Sequence, residues 1–125
     1  MNSRLLFNVS AVIELLTGLA LLVAPQLVIG LLLSDRLGSS GIAVARILGV
    51  GLVALGLAGW ERPGHDIRLM PRAGLAIYNA GAATLLTTLG THNNINGLLL
   101  WPAAILHALI GIAMVLSFLF SLREK

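Results

Sequence analysis

The chain contains no cysteine. That excludes disulfides, thiolate metal sites and a thiol nucleophile, and it leaves the redox compartment open. Charge is equally scarce. Only 10% of residues are charged and 58% are hydrophobic, where soluble domains carry about 25% charged and 45–50% apolar residues. A water-soluble domain of 125 residues could not hide that much apolar surface, because small domains bury only about two thirds of what the unfolded chain exposes. Lipid is therefore the expected solvent, and the length allows one domain, residues 1–125, with no separate soluble module. The catalytic motifs of several enzyme classes are also missing: there is no phosphate loop, no His-Glu-x-x-His, and Asp35 and Asp66 stand in loops away from any Ser-His pair. The formal charge of +3 would suggest nucleic acid in a soluble protein. Here it sits mostly at the ends of apolar runs, where it sets membrane orientation, so no nucleic-acid partner is expected.

What the chain does contain is four long apolar runs, at residues 5–24, 41–60, 73–90 and 98–122. A 20-residue helix rises about 30 Å, enough to cross the hydrocarbon core. The expected fold is all-α, an up-down bundle of four transmembrane helices. The basic start and apolar run resemble a signal peptide, but Glu14 falls inside the hydrophobic region and 22–25 offers no convincing cleavage site, so a retained first helix is expected. Pro25 ends that helix, and residues 27–33, too short to span, form an interfacial or re-entrant piece. The alternative is one span over residues 11–33 kinked at Pro25, which would leave Glu14 near the interface. Trp60 and Trp101 stand where interfacial aromatics belong.

Four spans put Arg4, Arg62, Arg68, Arg72, Arg123 and Lys125 on one side and only Arg36 on the other. The positive-inside rule then makes both termini cytoplasmic, in the inner (cytoplasmic) membrane of a cell. Helices in lipid associate through close backbone approach at small residues. Ala45 and Gly49, then Gly56, supply these in the second run, Ala76 and Ala80 in the third, and Gly111 in the fourth.

Each run also holds strongly polar residues that need an explanation: Glu14, Arg46, Asn79 beside Tyr78, and His107. At about 1.5 Å per residue, Glu14 lies roughly 14 Å from one face and His107 about 14 Å from the other, so both fall near the midplane. Arg46 and Asn79 start about 8 and 9 Å from opposite faces and would have to lean inward to join them. Ser10, Ala11, Thr17 and Gly18 flank Glu14 at helical spacing, and Ala103, Ala104, Ile110 and Gly111 flank His107. Both therefore face the bundle interior. A charge at the centre of a span costs about 2.5–3.5 kcal/mol even on the lenient insertion scale, so an unpaired Glu14 would be protonated or hydrated. The competing explanations are structural: a Glu14–Arg46 ion pair that fixes helix order, Arg46 snorkelling to the outer headgroups, His107 as a packing residue. His65 and His92 lie in loops on opposite sides, so neither a bis-histidine haem nor a metal site is implied, and no cofactor is expected.

Glu14 with Gly18 and Pro25, Ala45-Arg46-Ile47-Leu48-Gly49 with Gly56, Tyr78-Asn79, and Leu100-Trp101-Pro102-Ala103 with His107 together resemble small uncharacterised bacterial membrane proteins related to the DoxX-like group. The resemblance implies a four-helix protein, and some members are associated with quinone-linked oxidoreductases or redox-stress complexes. Leu57-Ala58 stand after Gly56 where DoxX itself has Lys-Leu, so those roles are not carried over. Two functions fit the sequence. The first is a non-catalytic subunit or scaffold that packs in the bilayer against itself, as a homo-oligomer, or against a larger membrane-protein partner. The alternative is a unit that binds or transports a small molecule, lipid-like ligand or proton through a polar pocket around Glu14 and His107. An enzyme ranks third.

Overall fold

A computed structural model describes residues 3–62, 64, 69–93 and 95–123, the last three as backbone only. His65, Asp66, Arg68 and Lys125, which enter the reading of loops and charges, lie outside the described residues. The described residues form five helices: α1 (Ser3–Val23), α2 (Pro25–Leu33), α3 (Ser39–Gly59), α4 (Leu69–His92) and α5 (Leu100–Arg123). The described residues contain no strand.

Helix boundaries follow local chemistry. α1 stops at Val23 because Ala24 leaves helical geometry, at φ −135° and ψ 59°, and Pro25 starts α2 at its first position, where its missing N–H is no loss. The continuous span over 11–33 therefore does not form. α2 ends at Ser34, which takes the left-handed conformation at φ 54° and returns its N–H to the Gly30 carbonyl. α4 begins at Leu69, four residues before the expected 73. Pro71 is accommodated as its third residue, since first-turn amides have no intrahelical acceptor anyway. Leu98 and Leu99 form a turn ahead of α5 instead of its first residues.

Three helices, α1, α3 and residues Leu100–Phe120 of α5, are long and apolar enough to cross a membrane. α4 is as long, at 24 residues, but is not among them, because Tyr78, Asn79 and a threonine series dilute its hydropathy. Burial is distributed inside out. Ile47 is 70% exposed, Ile77 73% and Leu109 63%, whereas Ser10, Glu14 and Asn79 are wholly buried. Large apolar side chains turned outward, with strongly polar ones hidden inside, are what a lipid-facing bundle requires.

The helices pack as two antiparallel pairs. α1 and α3 meet at glycines: a Cβ on Gly18 would stand 2.7 Å from the Gly49 carbonyl oxygen, and one on Gly56 would stand 2.6 Å from that of Ala11. Both contacts are backbone to backbone, so the pair can close only where no side chain intervenes. α4 and α5 approach more loosely, with a Gly111 Cβ 3.5 Å from the Ala80 amide nitrogen. The helix ends also sort. Residues 7, 8, 61, 72 and 118 meet at one end. At the other, Leu99 donates its N–H to Leu31 O at 2.8 Å, the Ser34 hydroxyl donates to Asn96 O at 3.0 Å, and Gly97 packs directly on the Leu31 and Leu32 carbonyls. The four long helices therefore alternate in direction, and α2 ties down the loop before α5.

Most of the buried apolar residues among those described fall in two clusters. Leu6, Phe7, Ala11, Leu75, Ile110 and Met114 fill one; Leu21, Ala45 and Leu52, with Val28 and Ile29 against them, fill the other nearer α2. Glu14, Asn79 and His107 occupy the level between them.

Candidate functional site

The level between the clusters is a polar layer drawn from three helices: Ser10 and Glu14 from α1, Asn79 from α4 and His107 from α5. Ser10 and Glu14 are four residues apart and so share one face of α1. That same helix presents Ala11 and Gly18 to α3, so the close glycine packing on one side fixes the direction in which the carboxylate points on the other.

Asn79 organises the layer. Its amide nitrogen donates to the Ser10 hydroxyl at 2.9 Å and to the Leu75 carbonyl at 2.9 Å, and its amide oxygen lies 2.8 Å from His107 Nδ1. The Leu75 carbonyl can only accept, so the nitrogen of Asn79 must face it. The oxygen then faces His107, and Nδ1 must carry a hydrogen. Backbone, amide and imidazole thus fix the ring tautomer in sequence. The Tyr78 ring stands edge-on to the His107 ring, with centroids 5.7 Å apart at 82°.

Glu14 is the exception in this layer. It is wholly buried, and neither carboxylate oxygen has a hydrogen-bond partner. His107 faces it, with Oε1 4.0 Å from Nδ1, beyond hydrogen-bonding distance. An ionised carboxylate left in that state would carry its full desolvation cost, so the group must be neutral, or must acquire a partner when it ionises.

Of the residues singled out in the sequence, Glu14, Asn79, Tyr78 and His107 therefore converge. Arg46 does not join them. It lies on the exposed side of α3. The expected inward lean fails for a geometric reason: α3 buries Ala45, Gly49, Leu52, Gly56 and Gly59, and Arg46 stands about 100° around the helix from Ala45. Among the expected packing residues, Ala45, Gly49, Gly56 and Gly111 are buried, Ala76 is partly buried, and Ala80 is exposed although its backbone meets Gly111.

A second polar cluster was not anticipated. Arg72 donates to both oxygens of Glu61, from Nε at 2.5 Å and Nη2 at 2.7 Å, and its guanidinium lies 4.4 Å from the centre of the Phe7 ring. Asn8 reads the Glu61 backbone from both sides, accepting its N–H at 2.8 Å and donating to its carbonyl at 3.0 Å. The available signal was that Glu61 and Arg72 end neighbouring runs on one side, opposite Phe7-Asn8.

No group of three or more His, Cys, Asp or Glu side chains that could hold a metal ion occurs among the described residues. Comparison of the chain with protein-family models, with curated proteins and with solved structures finds no match.

Proposed function

We propose that this chain is a four-span integral protein of a cytoplasmic membrane that takes up and releases a proton at Glu14. The observation that carries this reading is the complete burial of a carboxylate with neither oxygen partnered. Intramembrane ionisable groups are costly and usually functional, and a structural carboxylate would be expected to be satisfied by its neighbours. A proton needs no cavity and leaves the packed layer intact.

The fourth span is α4. Its most polar side chains are hidden, Asn79 wholly and Arg72 nearly so. Thr84, Thr88 and Thr91 return their hydroxyls to the carbonyls of Ala80, Thr84 and Thr87, each at 2.8 Å. Its lipid-facing surface is thus less polar than its composition. Termini facing the cytoplasm agree with the excess of arginine at that end, although Arg72 is already neutralised by Glu61. A relationship to the DoxX-like group would fit this architecture.

The test is infrared spectroscopy of the protein in bilayers across a pH titration. A protonated-carboxyl band that titrates and disappears in Glu14→Gln supports the site, and its absence in the wild type defeats the reading. A scaffold role is favoured by a different feature, the outward face of α3 carrying Gly51, Ala54 and Ala58, which would admit a partner helix closely. Loss of assembly in Ala54→Leu or Ala58→Leu, with the Glu14 band unchanged, would establish that role separately.

A further inference from the structure

Glu14 and Asn79 present two acceptors to one donor. His107 Nδ1–H stands 2.8 Å from Asn79 Oδ1 and 4.0 Å from Glu14 Oε1. Asn79 cannot offer its own amide hydrogens to Glu14 without surrendering Ser10 or Leu75. The other groups facing Glu14 narrow the choice. α1 contributes Ser10, α4 contributes Tyr78 and Asn79, α5 contributes His107, and Arg46, the charged residue of α3, faces outward. The Ser10 and Tyr78 hydroxyls are donors as well, but His107 is the one whose N–H already has an acceptor, Asn79, while standing 4.0 Å from Glu14 Oε1. A hydrogen bond to an ionised acceptor is roughly twice as strong as one to a neutral acceptor, so the preference of this N–H reverses with the charge of the carboxyl group.

We infer that His107 is a hydrogen-bond switch read out by the proton on Glu14, donating to Asn79 when Glu14 is neutral and to Glu14 when it is ionised. The inference rests on the reading that Glu14 gains and loses a proton. The balance is simple. Glu14 gives its proton to the medium or to a carrier, the ring keeps its Nδ1 hydrogen and stays neutral, and one hydrogen bond exchanges its acceptor. Closing 4.0 Å to charge-assisted hydrogen-bond length, about 2.8 Å, requires a shift of roughly 1 Å. Whether it is met by rotation of the side chains or by approach of α5 to α1, the new bond ties α5 to α1 across the boundary between the two helix pairs, beside the Tyr78 ring that stands edge-on to His107. A protonation event at the centre of the bundle is thereby converted into a change in how its halves are held.

The experiment is nitrogen NMR of the full chain in lipid bilayers with 15N-labelled histidine. The His107 signals are assigned by their loss in His107→Gln, and the Glu14 carboxyl band is followed in parallel. The expected result is that Nδ1 carries the hydrogen and Nε2 does not on both sides of the transition, while the Nδ1–H resonance moves in step with the loss of the band. In Glu14→Gln the resonance should stay fixed through the same range. In Asn79→Asp, which keeps an acceptor, the Nδ1–H tautomer should persist. An Nε2–H tautomer, a doubly protonated ring appearing as Glu14 ionises, or an Nδ1–H resonance that ignores a titrating band would each overturn the switch. If the band itself does not titrate, the proton site fails first, and the two failures are told apart by that measurement.

Discussion

Two polar clusters, one part-buried at a helix end and one buried at mid-bundle, sit in the same fold and are built on opposite rules. At one end, Arg72, Glu61 and Asn8 satisfy one another: the guanidinium is forked onto the carboxylate and the asparagine closes the Glu61 backbone. In the middle, Ser10, Asn79 and His107 are bonded in a chain, but Glu14, which they surround, has no bonded partner. The first arrangement holds two segments at a fixed distance and gains nothing from a change of protonation. The second keeps one group in reserve. Satisfaction of hydrogen bonds, rather than charge, separates the cluster that ties the helix ends from the one that leaves a carboxylate in reserve.

The most severe way to break this contrast is to remove one partner of the satisfied pair. Arg72→Met leaves Glu61 as a buried charge without its counter-ion and should cost about 3–5 kcal/mol of stability, measured by denaturant titration in detergent micelles. Replacing both, Arg72→Met with Glu61→Met, should recover most of that loss, because well-packed apolar residues often match a buried ion pair. If the single variant is as stable as the wild type, the cluster does not clamp the helix ends.

A smaller loss is expected from the helix contact that aims Glu14. At Gly56 an added Cβ would meet the Ala11 carbonyl oxygen at 2.6 Å. Because that neighbour is backbone and cannot rotate away, Gly56→Ala should destabilise by about 1–3 kcal/mol, the usual range for overpacking. Gly51→Ala on the same helix is the control, since nothing lies within 4 Å of its Cβ position. Equal effects from the two would refute the α1–α3 contact.

The sequence reveals levels along the bundle better than directions around it. Counting residues placed Glu14 and His107 at one depth, and the small residues flanking each pointed both inward, where the structure has them. Asn79 started off that level and reaches it through its side chain. Arg46 shows the limit, because depth says nothing of azimuth; that information lay in the buried series Ala45, Gly49, Leu52 and Gly56, which excludes Arg46 from the inner face. The Arg72–Glu61–Asn8 clamp was harder still. It joins residues 53 apart in the chain, and a charge next to a loop reads as solvated until the helix ends are brought together. The four long helical runs and the break at Pro25 were legible because proline and long apolar runs act locally, whereas the short piece after Pro25 was legible only as a non-spanning segment and not as the helix it is.

The unsatisfied cluster should respond in the opposite sense to the satisfied one. Glu14→Gln removes an ionisable group without changing its size and breaks no hydrogen bond, so stability should change by less than about 1 kcal/mol, in either direction, where Arg72→Met loses several. The carboxyl titration should vanish all the same. A loss of 3 kcal/mol or more, on the order expected for a broken buried pair, would mean that Glu14 is held as an ion by His107 and belongs with the structural cluster.

The smallest effect belongs to the one strongly polar residue of the long runs that joins neither cluster. Arg46 is exposed on α3, seven residues from its start at Ser39 or about 10 Å along the axis, and helical side chains lean toward the N-terminus. Its guanidinium can therefore reach the headgroup level while its stem lies along the apolar surface. Arg46→Leu should leave stability in micelles within about 0.5 kcal/mol, as for other surface substitutions. In bilayers it should instead deepen the α3 N-terminus, read by a spin label at Ser39→Cys in a chain that has no other cysteine. A large loss of stability in micelles would place Arg46 inside the polar layer after all and erase the distinction between a side chain the bundle uses and one the lipid does.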